Sequence, residues 1–135
     1  MYLLDTNILL EVMLSQRRKD EVKKLLTSIM RGELTAYISK FSLYSIEILL
    51  AKLGKFDELR KFLIAINKFQ GLRVLSTTLL DDILIVNITR STKLDFDDAL
   101  QYYLVKKYNL RGIISFDKDF DNLDIKRYEP KDIVP

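Results

Sequence analysis

The sequence predicts an α/β domain: a mostly parallel central sheet of four or five strands, flanked by helices on both faces. Three observations predict it. Short apolar segments alternate with longer stretches of helical periodicity, the pattern of repeated strand–helix units. The first of them, Tyr2-Leu3-Leu4, runs directly into Asp5-Thr6-Asn7, a buried strand that ends in a carboxylate. Only 4 glycines and 2 prolines occur in 135 residues, which favours regular helices joined by short loops. With 48% hydrophobic and 30% charged residues at that length, residues 1–135 read as one domain around one core.

Tyr2–Leu4 is the first strand. Ile8, Leu9, Val12 and Met13 give an apolar stripe to a helix over residues 7–15. Val22, Leu25, Leu26, Ile29 and Met30 recur at i, i+3, i+4, i+7 and i+8, an amphipathic helix that Gly32 ends. Residues 35–39 form a short strand. Leu43, Ile46, Leu50 and Leu53 share one side of a helix over residues 42–53, with Gly54 as its stop. Leu59, Phe62, Leu63 and Ile66 mark the next helix, residues 56–69, and Gly71 precedes the strand Leu72–Leu75. Thr77 or Thr78 caps a helix to about residue 90, with Asp81 and Asp82 in its first turn. Asp95 opens a helix to about residue 108. Residues 112–115 are a buried strand, and residues 125–128 read as a final edge strand.

Composition restricts the chemistry. The chain has no histidine and no cysteine, which excludes disulfides, thiolate metal sites and thiol or imidazole catalysis. Polar chemistry must run on carboxylates, hydroxyls and amides, through a hard, oxygen-preferring cation. No apolar run is long enough to cross a membrane, and the first residues already carry strand and site. Neither a membrane segment nor a cleavable signal is therefore expected, and a cytoplasmic location is. The net charge is +3, from 22 Lys and Arg against 19 Asp and Glu. Arg17-Arg18-Lys19, Lys23-Lys24 and Lys106-Lys107 with Arg111 read first as solvated helix faces. A basic surface around an acidic pocket would also suit a polyanionic substrate held by cations.

Four acidic sites recur: Asp5, Glu47, Asp97-Asp98, and Asp117 with Asp119. Each has a plain structural reading. Asp5 can cap the first helix, and Glu47 flanks an apolar stripe. Asp95-Phe96-Asp97-Asp98 can serve a helix N-terminus, and Asp117 and Asp119 can brace a turn. Asp5, Ser39, and Ser115 with Asp117 nevertheless fall at or just beyond C-terminal strand ends, where open α/β sheets bind ligands. Like charges gathered on one rim cost several kcal/mol unless a cation neutralises them.

Leu4-Asp5-Thr6-Asn7, Glu47 in the helix after the second strand, Asp97-Asp98-Ala99-Leu100, and Ser115-Phe116-Asp117-Lys118-Asp119-Phe120 together resemble the PIN domain family. Within it they resemble the small VapC-type toxin nucleases of prokaryotic toxin–antitoxin pairs, over essentially the whole chain. The resemblance implies an endoribonuclease that cleaves single-stranded RNA, leaving a 5′-phosphate and a 3′-hydroxyl. It implies Mg²⁺ or Mn²⁺ held by Asp5, Glu47, Asp98 and Asp117, with Asp119 as an auxiliary ligand. Asn7 and Ser115 would position water or support the carboxylates. Asp97 stays open as the alternative to Asp98, which Ala99 favours by its match to the family. Ser115 replaces the commoner threonine and keeps the hydroxyl, while Tyr102-Tyr103 stand where small residues are usual. A small antitoxin is the implied partner. A homodimer is expected from the apolar surface of the helices between Lys19 and Phe69. Two alternatives remain: a non-catalytic RNA-binding or regulatory PIN-like domain, and a small Mg²⁺-dependent phosphohydrolase. The latter would normally want an Asp-x-Asp arrangement that Asp5-Thr6-Asn7 lacks.

Overall fold

Three consecutive apolar residues fit best at the centre of a sheet that is covered on both faces. In the computed structural model, which describes residues 1–135, Tyr2–Leu4 forms β1 and lies there. The chain continues as α1 (Thr6–Met13), α2 (Lys19–Met30), β2 (Ala36–Ser39), α3 (Lys40–Lys52) and α4 (Phe56–Asn67). It goes on through β3 (Leu72–Leu75), α5 (Leu79–Thr92), α6 (Phe96–Lys107) and β4 (Gly112–Ile114). A 3-10 turn (Lys118–Asn122), β5 (Arg127–Tyr128) and α7 (Pro130–Ile133) complete it.

The sheet has five strands in the order β3-β2-β1-β4-β5, and every neighbouring pair is parallel. The strand order therefore reverses between β1 and β4, and a crevice opens at their C-terminal ends. Leu3 faces one layer, packing with Ile113, Ile85 of α5, and Ala99, Leu104 and Val105 of α6. Tyr2 and Leu4 face the other, with Ile114, Ile8 of α1, and Val22, Leu25 and Ile29 of α2. A third cluster of Leu9, Ile38, Leu43, Ile46 and Leu50 seats α3 beside β2.

Differences from the expected elements have local causes. α3 starts at Lys40 because Ser39, the last residue of β2, caps it: Ser42 N donates to Ser39 Oγ at 3.0 Å. α5 runs on to Thr92 and stops where Lys93 turns left-handed at φ 63°, a signal usually carried by glycine. β5 is shorter than expected, and α7 and the 3-10 turn are too brief to leave a periodic pattern. A Cβ at Gly112 would sit 2.2 Å from the Lys126 carbonyl oxygen, so the chain entering β5 can approach β4 only at a glycine.

Of the two candidate caps of α5, Thr78 is the one used. Asp81 N donates to Thr78 Oγ1 at 3.2 Å and Thr78 N donates to Asp81 Oδ2 at 2.8 Å, a reciprocal capping box. The buried Asp81 carboxylate also accepts from Lys107 Nζ at 2.8 Å and Tyr103 Oη at 2.5 Å, tying α5 to α6. Lys107 beside it, with the Thr78 amide, holds its carboxyl well below the usual range. Several expected surface cations are thus engaged within the fold. Lys106 pairs with Asp124 at 2.7 Å. Arg18 pairs with Glu21 at 2.9 Å and with Glu129 at 2.6 Å, while Arg127 also pairs with Glu129, at 3.1 Å. Arg18 additionally lies 4.2 Å from the Phe116 ring centroid.

Thr78→Ala should cost about 1 kcal/mol in chemical denaturation, the usual worth of a side-chain cap. Asp81→Ala should cost more, because it also strands Lys107 and Tyr103. The depressed Asp81 carboxyl adds stability above its unfolded value, so that share should fade as the pH drops below about 4. A melt series at acid pH should show Asp81→Ala losing less than wild type over that window.

Candidate metal centre

The β1–β4 register sets the site. Leu4 pairs with Ile114, so Asp5 and Ser115 leave adjacent strands together. Ser115 Oγ donates to Asp5 Oδ2 at 2.6 Å and Thr6 N donates to Asp5 Oδ1 at 2.8 Å. Asn7 Nδ2 donates to Ser115 Oγ at 3.3 Å and its Oδ1 accepts from Phe116 N at 3.4 Å. Asp117 N donates to the same Ser115 hydroxyl at 2.9 Å, and Asp117 Oδ1 accepts from Asp119 N at 2.9 Å. Asn7 and Ser115 therefore hold Asp5 and the Asp117 turn in place.

Above them lies a hollow of about 250 Å³, lined by Asp5, Thr6, Asn7, Asp97, Asp98, Gln101 and Asp117, with Leu10, Phe41 and Ser45 at its side. Asp97 and Asp98 both line it, Asp98 half-buried and Asp97 exposed. Carboxylate oxygens of Asp95, Asp97 and Asp98 lie within 4.8 Å of one another. Asp95 stands at the cap position of α6 but makes no side-chain capping bond, so this acidic turn is not spent on its own helix.

The electrostatics record the crowding. Burial first, then the Asp97, Asp117, Asp5 and Asp95 carboxylates, push the Asp98 carboxyl up to about 7. Burial also raises Asp5; the Ser115 hydroxyl and Thr6 amide pull it down, and Asp117 and Asp97 add to the rise. None of Asp5, Asp97, Asp98 and Asp117 is paired with a lysine or arginine.

Glu47 does not join them. It is two residues from Ser45, which lines the hollow, and at 100° per residue it points about 200° away around α3. Its Oε2 is instead buried without a hydrogen-bond partner on the far flank of the Ile46–Leu50 stripe. The apolar stripe could be read either way, since both its flanks border the core. Asp119 is also displaced from the expected place. Its side chain is exposed and lines a neighbouring hollow with Asp95 and Asp98, and only its backbone amide serves Asp117.

Gln101 and Ser42 are the residues that the sequence reading missed. Gln101 lies three positions after Asp98, on the same face of α6, which was the available signal. Gln101 Nε2 donates to buried Ser42 Oγ at 2.8 Å, beside Thr6 Oγ1 at 2.7 Å and Ser39 Oγ at 3.0 Å. Gln101 Oε1 is buried on the wall of the acidic hollow and has no partner. Clustered carboxylates without a counter-ion, beside an unpartnered carbonyl oxygen, form an all-oxygen donor set. That fits Mg²⁺ or Mn²⁺ and offers nothing to a thiolate- or imidazole-seeking metal.

A carboxyl raised on folding stabilises below its unfolded value and loses that share as the pH rises through the folded one. Metal-free protein should therefore lose stability between about pH 4 and pH 7. Asp98→Asn should flatten that decline and raise metal-free stability at pH 8 by about 1 kcal/mol, after allowance for solvent screening. Melts in EDTA across that range test it; an Asp98→Asn profile parallel to wild type would count against the charge cluster.

The PIN domain family model matches residues 2–126, from β1 to the entrance of β5. Solved structures share the fold. A toxin–antitoxin complex from Klebsiella pneumoniae is 20% identical, covering 96% of this chain and 98% of that chain, with a TM-score of 0.72. VapC20 of Mycobacterium tuberculosis, described as a sarcin–ricin loop cleaving toxin, is 19% identical, covering 96% and 100%, with a TM-score of 0.78. VapBC2 of Rickettsia felis, bound to a DNA fragment from its promoter, is 15% identical, covering 95% and 97%, with a TM-score of 0.68. No curated protein matches the sequence. With a family model that takes in β1, β4 and every carboxylate of the hollow between them, the chain belongs to the PIN domain family.

Proposed function

We propose that the protein is a divalent-metal-dependent endoribonuclease for single-stranded RNA, acting as the toxin of a toxin–antitoxin pair. The convergence of Asp5, Asp97, Asp98 and Asp117 in one hollow, none of them paired with a cation of the chain, carries this reading. The toxin described as cleaving the sarcin–ricin loop and the two toxin–antitoxin structures support it by shared fold.

Asp5, Asp98 and Asp117 are the proposed ligands, with Asp97 at the rim and Asp119 steadying Asp117 through its amide. When bound among them, Mg²⁺ or Mn²⁺ supplies neutralisation of phosphate charge and a more acidic water. The chain supplies fixed geometry: Ser115 and the Thr6 amide lock both oxygens of Asp5, and Asn7 braces Ser115. Because no imidazole exists in the chain, a carboxylate of the ring or bulk water must take the proton from the attacking water.

Partners complete the proposal. No helix is long and apolar enough to cross a membrane. The α2 stripe expected to be exposed is largely consumed by the core, since Val22, Leu25 and Ile29 are fully buried. The outstanding apolar row lies on α5 instead, where Leu79, Leu80, Ile83 and Val86 are 83%, 66%, 59% and 47% exposed. We assign that row to a second copy of the chain. The apolar face of α4, where Leu59, Phe62, Leu63 and Ile66 are only partly covered, is assigned to the antitoxin.

Purified protein should cleave mixed-sequence single-stranded RNA in Mg²⁺ or Mn²⁺, and EDTA should stop it. Asp5→Asn and Asp98→Asn should each lower the rate roughly a hundredfold or more, whereas Glu47→Gln should stay within a few-fold of wild type. Cleavage that survives EDTA would exclude the metal mechanism. Asp98→Asn should also shrink the rise in Tm that excess Mg²⁺ gives wild type, because that rise follows affinity for the folded state. Light scattering should give a dimer at micromolar concentration, and Ile83→Asp should convert it to monomer; a monomeric wild type would remove the pairing.

A further inference from the structure

Beside the acidic hollow lies a second cleft, of about 410 Å³, at the C-terminal ends of β2 and β3. Phe41, Tyr44 and Phe96 wall it, and Ser76, Thr77 and Asp82 close it. The two spaces abut along one side chain, because Phe41 lines both. The first turns of α6 divide between them as well: Phe96 and Leu100 face this cleft, while Asp97, Asp98 and Gln101 face the acidic hollow. The three rings are 37%, 54% and 40% exposed, so they are not core residues that merely reach the surface.

The polar groups have their own pattern. Lys40 Nζ lies 4.7 Å from the Tyr44 ring centroid and pairs with no carboxylate. Asp82 accepts from Thr77 Oγ1 at 2.9 Å and has no cationic partner, leaving acceptor capacity at the cleft. Flat rings, one ammonium group without a carboxylate partner and one acceptor match a planar solute that carries N–H donors and an adjoining anion. An aliphatic protein surface would instead be matched by the α5 row, which does not line this cleft.

We propose that the cleft binds an unstacked nucleobase of the RNA strand whose scissile phosphate enters the acidic hollow, an inference that rests on the nuclease reading above. The base stacks against Phe96 and Tyr44, Asp82 accepts from its N–H edge, and Lys40 contacts the flanking phosphate. Duplexed RNA keeps its bases stacked and cannot deliver one, so the cleft selects single strands.

The test is anisotropy of a fluorescein-labelled single-stranded RNA in Ca²⁺, with parallel cleavage assays in Mg²⁺ and Mn²⁺. Phe96→Ala and Tyr44→Ala should each weaken binding on the order of tenfold, the usual effect of removing one stacking platform. Asp82→Asn, which keeps shape, provides the same readout should either alanine variant melt early. Removing the base next to the cleaved phosphate should weaken wild type comparably and weaken Phe96→Ala no further, since the two changes delete one contact. Additive losses, or unaltered binding in all three variants, would overturn the base site. Weaker binding accompanied by loss of a dimer in light scattering would overturn it too, in favour of a second copy in the cleft. Wild type that binds through the cleft yet cleaves nothing in either metal would leave the base site standing and overturn the nuclease reading.

Discussion

The parallel pairing of β1 with β4 governs the site, because it converts a hydrophobic register into a fixed position for charge. Leu3 and Leu4 are fully buried on opposite faces of the sheet, so β1 cannot slip by one residue without exchanging its layers. That register delivers Asp5 to Ser115, and the Asp5 amide donates to the Ile114 carbonyl at 3.0 Å. Asn7 and Asp117 then attach to the same hydroxyl. An error in strand pairing would dismantle the whole arrangement rather than displace one carboxylate.

Both α5 and α6 carry a pair of aspartates in the first turn, and the fates of these pairs are opposite. In α5, Asp81 turns back onto Thr78 and meets Lys107, so its charge is satisfied twice. In α6, Asp95 makes no side-chain cap, and Asp97 and Asp98 meet only other carboxylates. The cap residue differs, a threonine before α5 and an aspartate before α6, and so does the element across from each: α6 with its lysine faces the first, and the β1 and β4 termini face the second.

The strand–helix alternation made the parallel sheet readable, because burial on both faces leaves continuous apolar strands and striped helices. Asp5, Asn7, Ser115 and Asp117 were equally readable, being adjacent to those strands. Glu47 was misplaced because it flanks the same stripe as Ser45, and periodicity alone does not say which flank adjoins the strand ends. Gln101 was overlooked since a glutamine in an amphipathic helix looks solvated until Ser42 is brought against it. The partners of the basic clusters were hidden in the same way. Lys106 and Lys107 find partners 18 and 26 positions away, and Arg18 finds Glu129, 111 positions away, besides Glu21 three residues on; only the last of these leaves a local signal.

Glu129 stands between Arg18 and Arg127, and Arg127 also donates to the carbonyl of Ser115 at 2.9 Å. The C-terminal segment is therefore an outer brace on residues 115–117, with Arg18 covering Phe116 from the other side. Loss of Glu129 would leave Arg18 to Glu21 and Arg127 to Asp121, so neither guanidinium would be stranded; what would go is the one carboxylate that ties the start of α2 to β5, and with it the link between the two sides of this brace.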